Sequence, residues 1–230
     1  MLEEIFAAFY KIADHVSKGD TVDETLASTV EFATAFLNCD ECCTYVRQGD
    51  KLAPWVWKHV KHSFLEPTPL RLDSGFARAV EAERAPIAVS ADSTKDAAFK
   101  AFAEWSKNPG ETLVCAPFVS RSQLVGALTL RHWRPRPYRR HEFQILSSIG
   151  YVIGVELGIT RLELENAELL LELETRKLVE RSKGILQRDL GISEREAYLA
   201  LQRESQQRNR PMKDIAQAII LNAEVRQNVV

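Results

Sequence analysis

From His141 to Leu190 the chain contains no proline and no strong helix breaker, and Gly191 ends the run. The segment "GITRLELENAELLLELETRKL" within it consists mostly of the best helix formers. Leu157, Leu164, Leu171, Leu178 and Ile185 recur every seven residues. A second seam, Ile159, Leu162, Asn166, Leu169 and Leu173, alternates steps of three and four on nearly the opposite face. A surface helix with one apolar stripe does not look like this, so the pattern predicts a long helix gripped from both sides. One reading is a parallel dimeric coiled coil in which a buried Asn166 sets the register. The other is a long helix packed only within its own chain.

One position in the run is out of character. The stretch "RSKGILQ", Arg181–Gln187, carries a glycine at 184. A glycine inside a helix costs about 1 kcal/mol against alanine. Either something approaches the backbone closely at Gly184 or something leaves the surface there.

Before the long run the period alternates between helix and strand. Met1 to His15 places apolar residues at helical spacing, and Thr21 to Leu37 carries Leu26, Val30, Ala33 and Leu37 on one stripe, which predicts two helices. "CCTYVRQGDKLAPWVWKHV" reads as a hairpin around Gln48-Gly49-Asp50. "DSGFARAVEAERAPIAV" reads as a short helix from Ser74 or Gly75 followed by a strand at 86–89. "TLVCAPFVSRSQLVGALTLRHW" gives two more strands around "SRSQ", and 134–140, with two prolines, is a loop. After Gly191, Ser193 and Glu196 form a capping-box pattern. Pro211 then stands in the first turn of a last helix with Ile215, Ala216, Ile219, Ile220 and Ala223 on its apolar face.

With 230 residues, 45% hydrophobic and 27% charged, the chain is ordinary globular material of one or two domains. The net charge of −2 hides an asymmetry: residues 176–230 hold 11 Lys/Arg against 7 Asp/Glu, the rest 19 against 25. A basic tail on an acidic body points to an anionic partner. No apolar run approaches the roughly 20 residues of a membrane span, and the N-terminus lacks a basic leader, so the expected location is cytoplasmic, with no membrane partner. Cys39, Cys42 and Cys43 crowd together while Cys115 is remote, a poor disulfide framework. Their C-x-x-C spacing suits a thiol switch or half a metal site, but a strand cysteine more often packs as a small hydrophobe. The histidines are scattered, and no metal site or cofactor follows. No phosphate loop, nucleophile elbow or paired-acid motif occurs in a fitting context, which points away from an enzyme.

The run from Arg181 to Ile220 resembles an ANTAR domain, the three-helix RNA-binding module of bacterial transcription antiterminators. The resemblance rests on Lys183-Gly184-Ile185-Leu186, Gly191 before Ser193-Glu194, Ala197-Tyr198, Leu201-Gln202-Arg203, Ser205-Gln206, Asn209-Arg210 and Asp214-Ile215-Ala216. Ser182 stands where the family usually carries alanine, which raises a question about packing there. The first 155 or so residues resemble a GAF domain through "CDECCTYV", "LDSGFARAVEAERAPIAV" and "LVCAPFVSRSQLVGALTL".

Together these resemblances imply an α+β chain in three parts. They are a GAF sensor domain over 1–155, with an antiparallel sheet and flanking helices, a coiled-coil linker over 156–175, and a three-helix ANTAR domain over 176–230. The implied function is a dimeric, signal-responsive antitermination regulator that binds tandem RNA stem-loops near terminators, with a small-molecule effector at the GAF domain. A sensor whose helical tail dimerises or docks a protein is the alternative.

RNA loops are read through splayed bases, stacking and phosphate contacts. The candidates for such contacts are Arg176, Lys177, Arg181, Lys183, Gly184, Arg203, Ser205, Gln206, Asn209, Arg210 and Lys213, with Lys183 and Arg210 foremost. Tyr198 is a candidate base platform, although its spacing to Leu201 favours the core. Tyr45, Trp55, Trp57, Phe76, Cys115 and Phe118 either line an effector pocket or fill a core.

Overall fold

Thr21 opens the first described helix, α1 (Val22–Leu37). Its hydroxyl accepts from the Glu24 amide at 3.4 Å while the Glu24 carboxylate accepts from the Thr21 amide at 3.0 Å. This reciprocal cap satisfies two amides that a helix start leaves unpaired. The computed structural model describes residues 21–60, 67–72, 75–90 and 111–228 and the helical positions 10, 14 and 18. The helix expected from Met1 to His15 lies largely outside the described residues. The chain forms two compact units, Met1–Arg161 and Leu162–Val230.

In the first unit, β1 (Glu41–Gln48) and β2 (Lys51–His59) form the expected hairpin. They are followed by β3 (Leu70–Arg71), α2 (Gly75–Glu83), β4 (Ile87–Ser90), β5 (Thr112–Ser120) and β6 (Gln123–His132). The six strands make one sheet in the order β3-β2-β1-β6-β5-β4, and the pairings are antiparallel throughout.

Because side chains alternate across a sheet, the two faces build separate cores. Val114, Ala116 and Phe118 of β5 join α1's Leu26, Val30, Ala33 and Leu37 on one face. Leu113 and Cys115 join Tyr45, Leu52, Val80 and Val89 on the other.

The long run is one helix, α3 (Arg140–Leu190). Its first turns place Leu146, Ile149, Ile153 and Leu157 in the core shared with α1. An alanine-type Cβ at Gly150 would come within 2.4 Å of the Pro117 carbonyl oxygen. At Gly154 it would lie 2.5 Å from the Val119 backbone, and at Gly158 2.0 Å from Ser120 Oγ. Three glycines one turn apart thus let the helix lie directly on β5. One 18-residue window of α3 reaches a mean hydropathy of 1.4, enough by length and composition for a membrane span, although no run of that length had been expected. About 39% of that window is buried inside the protein.

Leu157 therefore corrects the expected dimer seam. It is only 7% exposed and belongs to this core, because the helix phase that seats Gly154 on β5 turns Leu157 inward too.

The second unit comprises the later part of α3, α4 (Glu194–Arg208) and α5 (Met212–Asn228). Gly191 takes φ +65° and donates its amide to the Gln187 carbonyl at 3.0 Å, ending α3 in the left-handed conformation that glycine adopts freely. Pro211 precedes α5 and does not stand within its first turn. Its carbonyl accepts from the amides of Asp214 and Ile215, at 3.0 and 3.4 Å. Val179, Leu201 and Ala216 form the small core, backed by Leu178, Leu186, Met212, Ile215 and Ile219. Leu178, expected in the seam, is held by this core.

Candidate nucleic-acid interface

The three-helix unit is fixed by two local devices. Ser193 accepts from the Glu196 amide at 3.3 Å and returns its own amide to the Glu196 carboxylate at 2.9 Å. Losing this cap in Ser193→Ala is expected to cost the unit about 1 kcal/mol, read as an earlier loss of far-ultraviolet helix signal on heating. At the other end of α4, Asn209 takes φ +49° and the Arg210 amide donates to the Ser205 carbonyl at 3.0 Å. The Ser205 hydroxyl donates to the Arg210 carbonyl at 2.6 Å.

Ser182 settles into this frame without strain. It is fully buried, and its hydroxyl donates to the Val179 carbonyl at 2.9 Å, so the polar group that replaces a methyl is satisfied.

Lys183 stands differently from the expectation of an open phosphate contact. Its side chain is 9% exposed, with Nζ 2.7 Å from Glu194 Oε1 and 2.9 Å from Glu180 Oε1. The hydrogen bond to Glu194, then that to Glu180, raises the Lys183 pKa, and the same lysine lowers that of Glu194. Its geometry is that of a tie between α3 and the start of α4.

Other expected cations remain open. Arg176, Lys177, Arg203 and Arg210 are exposed and have no ion-pair partner among the described residues. Gln206 and Asn209 are exposed beside them in sequence. Lys213 lies 3.7 Å from Glu174 and Arg181 2.7 Å from Glu224, both at the surface, where such pairs contribute little.

Tyr198 corrects the core expectation: it is 43% exposed. Ala197 and Leu201, one turn apart, take the buried stripe of α4, and Tyr198 stands off it.

Gly184 also departs from one of its two readings. A Cβ built there meets nothing within 4 Å, so no described residue approaches it. It borders an open cavity of about 360 Å³ between α3 and α5, together with Arg181, Arg188 and Glu224. Arg188 had not been singled out. The signal was available in the spacing, since residues 181, 184 and 188 share one helix face.

The expected effector pocket does not assemble from its six residues. Tyr45 and Cys115 lie in the core on one face of the sheet, Phe118 in the core on the other. Trp55 is 41% exposed and donates its indole N–H to Asp23 of α1. It is the residue left over where the β1–β2 register slips between Thr44–Val56 and Tyr45–Pro54. Trp57 pairs with Cys43 and is 43% exposed. The side chain of Phe76 lies outside the described residues.

The four thiols are free and buried. Burial pushes Cys43 and Cys115 up to about 12. It raises Cys42 as well, while a hydrogen bond from Cys42 lowers Cys39. No cluster of three metal-ligating side chains occurs among the described residues.

The six-stranded antiparallel sheet with α1 and α3 on one face is a known architecture. Residues 21–157 match the GAF domain family, and residues 167–220 match the ANTAR domain.

The chain belongs to the GAF family and carries an ANTAR domain.

Solved GAF domains confirm the fold of the first unit. That of an Acinetobacter phosphoenolpyruvate-protein phosphotransferase has a TM-score of 0.55 at 13% identity, covering 68% of this chain and 94% of its own. The phycoerythrobilin-bound GAF domain of a cyanobacterial phytochrome reaches 0.57 at 14%, covering 71% and 99%. A free methionine-R-sulfoxide reductase from Neisseria meningitidis shares the fold too, with a TM-score of 0.53 at 14%, covering 69% and 89%. The same fold thus occurs in a phytochrome and in a sulfoxide reductase, and does not itself assign a function.

Over 76 residues the GAF-ANTAR chain is 47% identical to the transcriptional regulatory protein PdtaR of Mycobacterium tuberculosis. The match covers 33% of this chain and 37% of that protein, so the chain spans little more than a third of the relative.

Proposed function

We propose that this GAF-ANTAR protein is a signal-responsive, RNA-binding antitermination regulator, not an enzyme, that acts as a homodimer on paired stem-loops. Residues 1–155 serve as sensor, 156–175 as coiled coil and 176–230 as RNA-binding head. The observation that carries this is the set of exposed cations Arg176, Lys177, Arg203 and Arg210, without an ion-pair partner among the described residues, on a module matching ANTAR. A second support is the leucine seam. Ile159 and Leu162 are each 46% exposed, Leu169 59% and Leu173 53%, with Asn166 exposed among them. A lone helix leaves such a stripe in water; a second copy covers it.

Two joined heads convert the second RNA contact into an intramolecular step and raise avidity. Binding both loops stabilises the RNA structure that excludes a terminator. An effector at the GAF domain shifts activity only by binding two states of the dimer unequally.

Titrating the full chain with an RNA carrying two adjacent hairpins, across a salt series, tests this. Affinity is expected to fall steeply with salt as phosphate contacts release counterions. Arg210→Glu is expected to weaken it about tenfold or more. A tail that docks a protein instead leaves no salt-dependent RNA binding to measure.

A further inference from the structure

Of the four glycines in α3, three have an explanation within the chain. Gly150, Gly154 and Gly158 let the helix touch β5, and a Cβ at any of them would collide. Gly184 has none: a Cβ there meets nothing within 4 Å, so alanine would fit and hold the helix better. Gly184 lines the open cavity of about 360 Å³ between α3 and α5.

Two guanidiniums flank that opening from α3. Arg181 stands three residues before Gly184 and Arg188 four after, and both line the cavity; Ile220, Ala223 and Glu224 of α5 form its far wall. Arg181 is held by Glu224 at 2.7 Å, and Arg188 by its neighbour Asp189 at 2.9 Å. In both pairs the two side chains are a third or more exposed, 59%/46% and 58%/33%. Exposed pairs of this kind exchange readily for a better acceptor. A guanidinium forms two parallel hydrogen bonds with a phosphate, which a lone surface carboxylate in poor register does not match.

We infer that the cavity over Gly184 seats a backbone phosphate of the bound RNA. The missing side chain lets the sugar-phosphate strand lie against the helix, and Arg181 and Arg188 close on it from either side. Arg181 turns from Glu224 to the phosphate as the RNA arrives, and Glu224 turns to solvent. This inference rests on the RNA-binding proposal above and adds to it the place where the strand crosses the helix.

The experiment pairs stability with binding in the full-length protein. Gly184→Ala and Gly184→Leu are made, and helix melting is followed together with affinity for an RNA of two adjacent hairpins. Both variants are expected to melt later, Gly184→Ala by about 2–4 °C. Both are expected to bind RNA more weakly, roughly tenfold for alanine and more for leucine. The log–log salt slope of binding is expected to fall by about one in Arg188→Gln. Wild-type affinity in both glycine variants would overturn the inference and leave RNA binding standing. Earlier melting of Gly184→Ala would overturn it as well, because the cavity would then not be open. Failure of the wild-type protein to bind the hairpin RNA at all would remove both proposals, and that result is read without any variant.

Discussion

Replacing Gly154 by alanine is expected to destabilise the GAF unit by about 3 kcal/mol, near the upper end for overpacking by a single methyl. The added Cβ would lie 2.5 Å from both the amide nitrogen and the carbonyl oxygen of Val119. Those atoms belong to strand backbone paired with β6. A flexible side chain could swing aside, but this backbone cannot move without shifting the sheet or lifting α3. Lifting the helix would open the core formed by Leu146, Ile149, Ile153 and Leu157 against Phe118 and Leu128.

Gly158 faces the hydroxyl and Cβ of Ser120, a side chain, and its replacement is the milder of the two. The measurement is direct, because the described tryptophans, 55, 57 and 133, belong to the GAF unit and no tryptophan follows residue 161. A urea midpoint for Gly154→Ala that matches the wild type would show that α3 does not lie on β5 as described. The same substitution at Gly184 is expected to change stability in the opposite direction. The contrast in sign, within one helix, is a sharper check than either value.

The second large effect is expected from Leu162→Asp combined with Leu169→Asp. Both leucines are exposed in the single chain, at 46% and 59%, and both lie on the seam that carries Asn166. If a second copy covers that seam, each lost leucine removes about 2 kcal/mol of burial, and each aspartate would place a charge where its twin on the partner repels it. Four leucines are lost per dimer, enough to raise the dimer dissociation constant by at least about three orders of magnitude.

The GAF and ANTAR cores contain neither residue, so both units should remain folded. Affinity for an RNA of two adjacent hairpins is expected to drop by about 10²–10⁴-fold, the avidity of a bivalent contact. Affinity for a single hairpin should be nearly unchanged. Sedimentation of the double variant at the same mass as the wild-type protein would sink the dimer seam. Equal loss on one hairpin and two would sink bivalency.

Capping, turns and helix continuity were readable from the chain because they depend on residues within about four positions of one another. Ser193 with Glu196, Gly191 after α3 and the hairpin at Gly49-Asp50 all formed as their local patterns predict. β5 and β6 are buried along most of their length, as strands covered on both faces are. Within the candidate site, the exposure of Arg176, Lys177, Arg203 and Arg210 followed from their lying off the apolar stripe.

What a linear pattern does not contain is which neighbour fills each face. Leu157 and Leu164 are identical members of a seven-residue repeat, yet the sheet takes Leu157 and leaves Leu164 63% exposed. Lys183 and Arg181 look alike as cations in "RSKGILQ". Only the packing of α4 beside α3 brings Glu194 to the lysine, while α5 brings Glu224 to the arginine. A register slip of one residue in β2 leaves Trp55 without a cross-strand partner in β1, and its indole donates to Asp23 of α1 instead.

The sequence by itself determined most of the helices and strands and the two families they resemble, β3 and the start of α5 apart, since these arise from short-range propensity, period and capping. The tertiary structure alone decided which of four equal glycines in α3 is a contact point and which an opening. That difference lies in the distance from each glycine to backbone far away in the chain, and no local pattern encodes it.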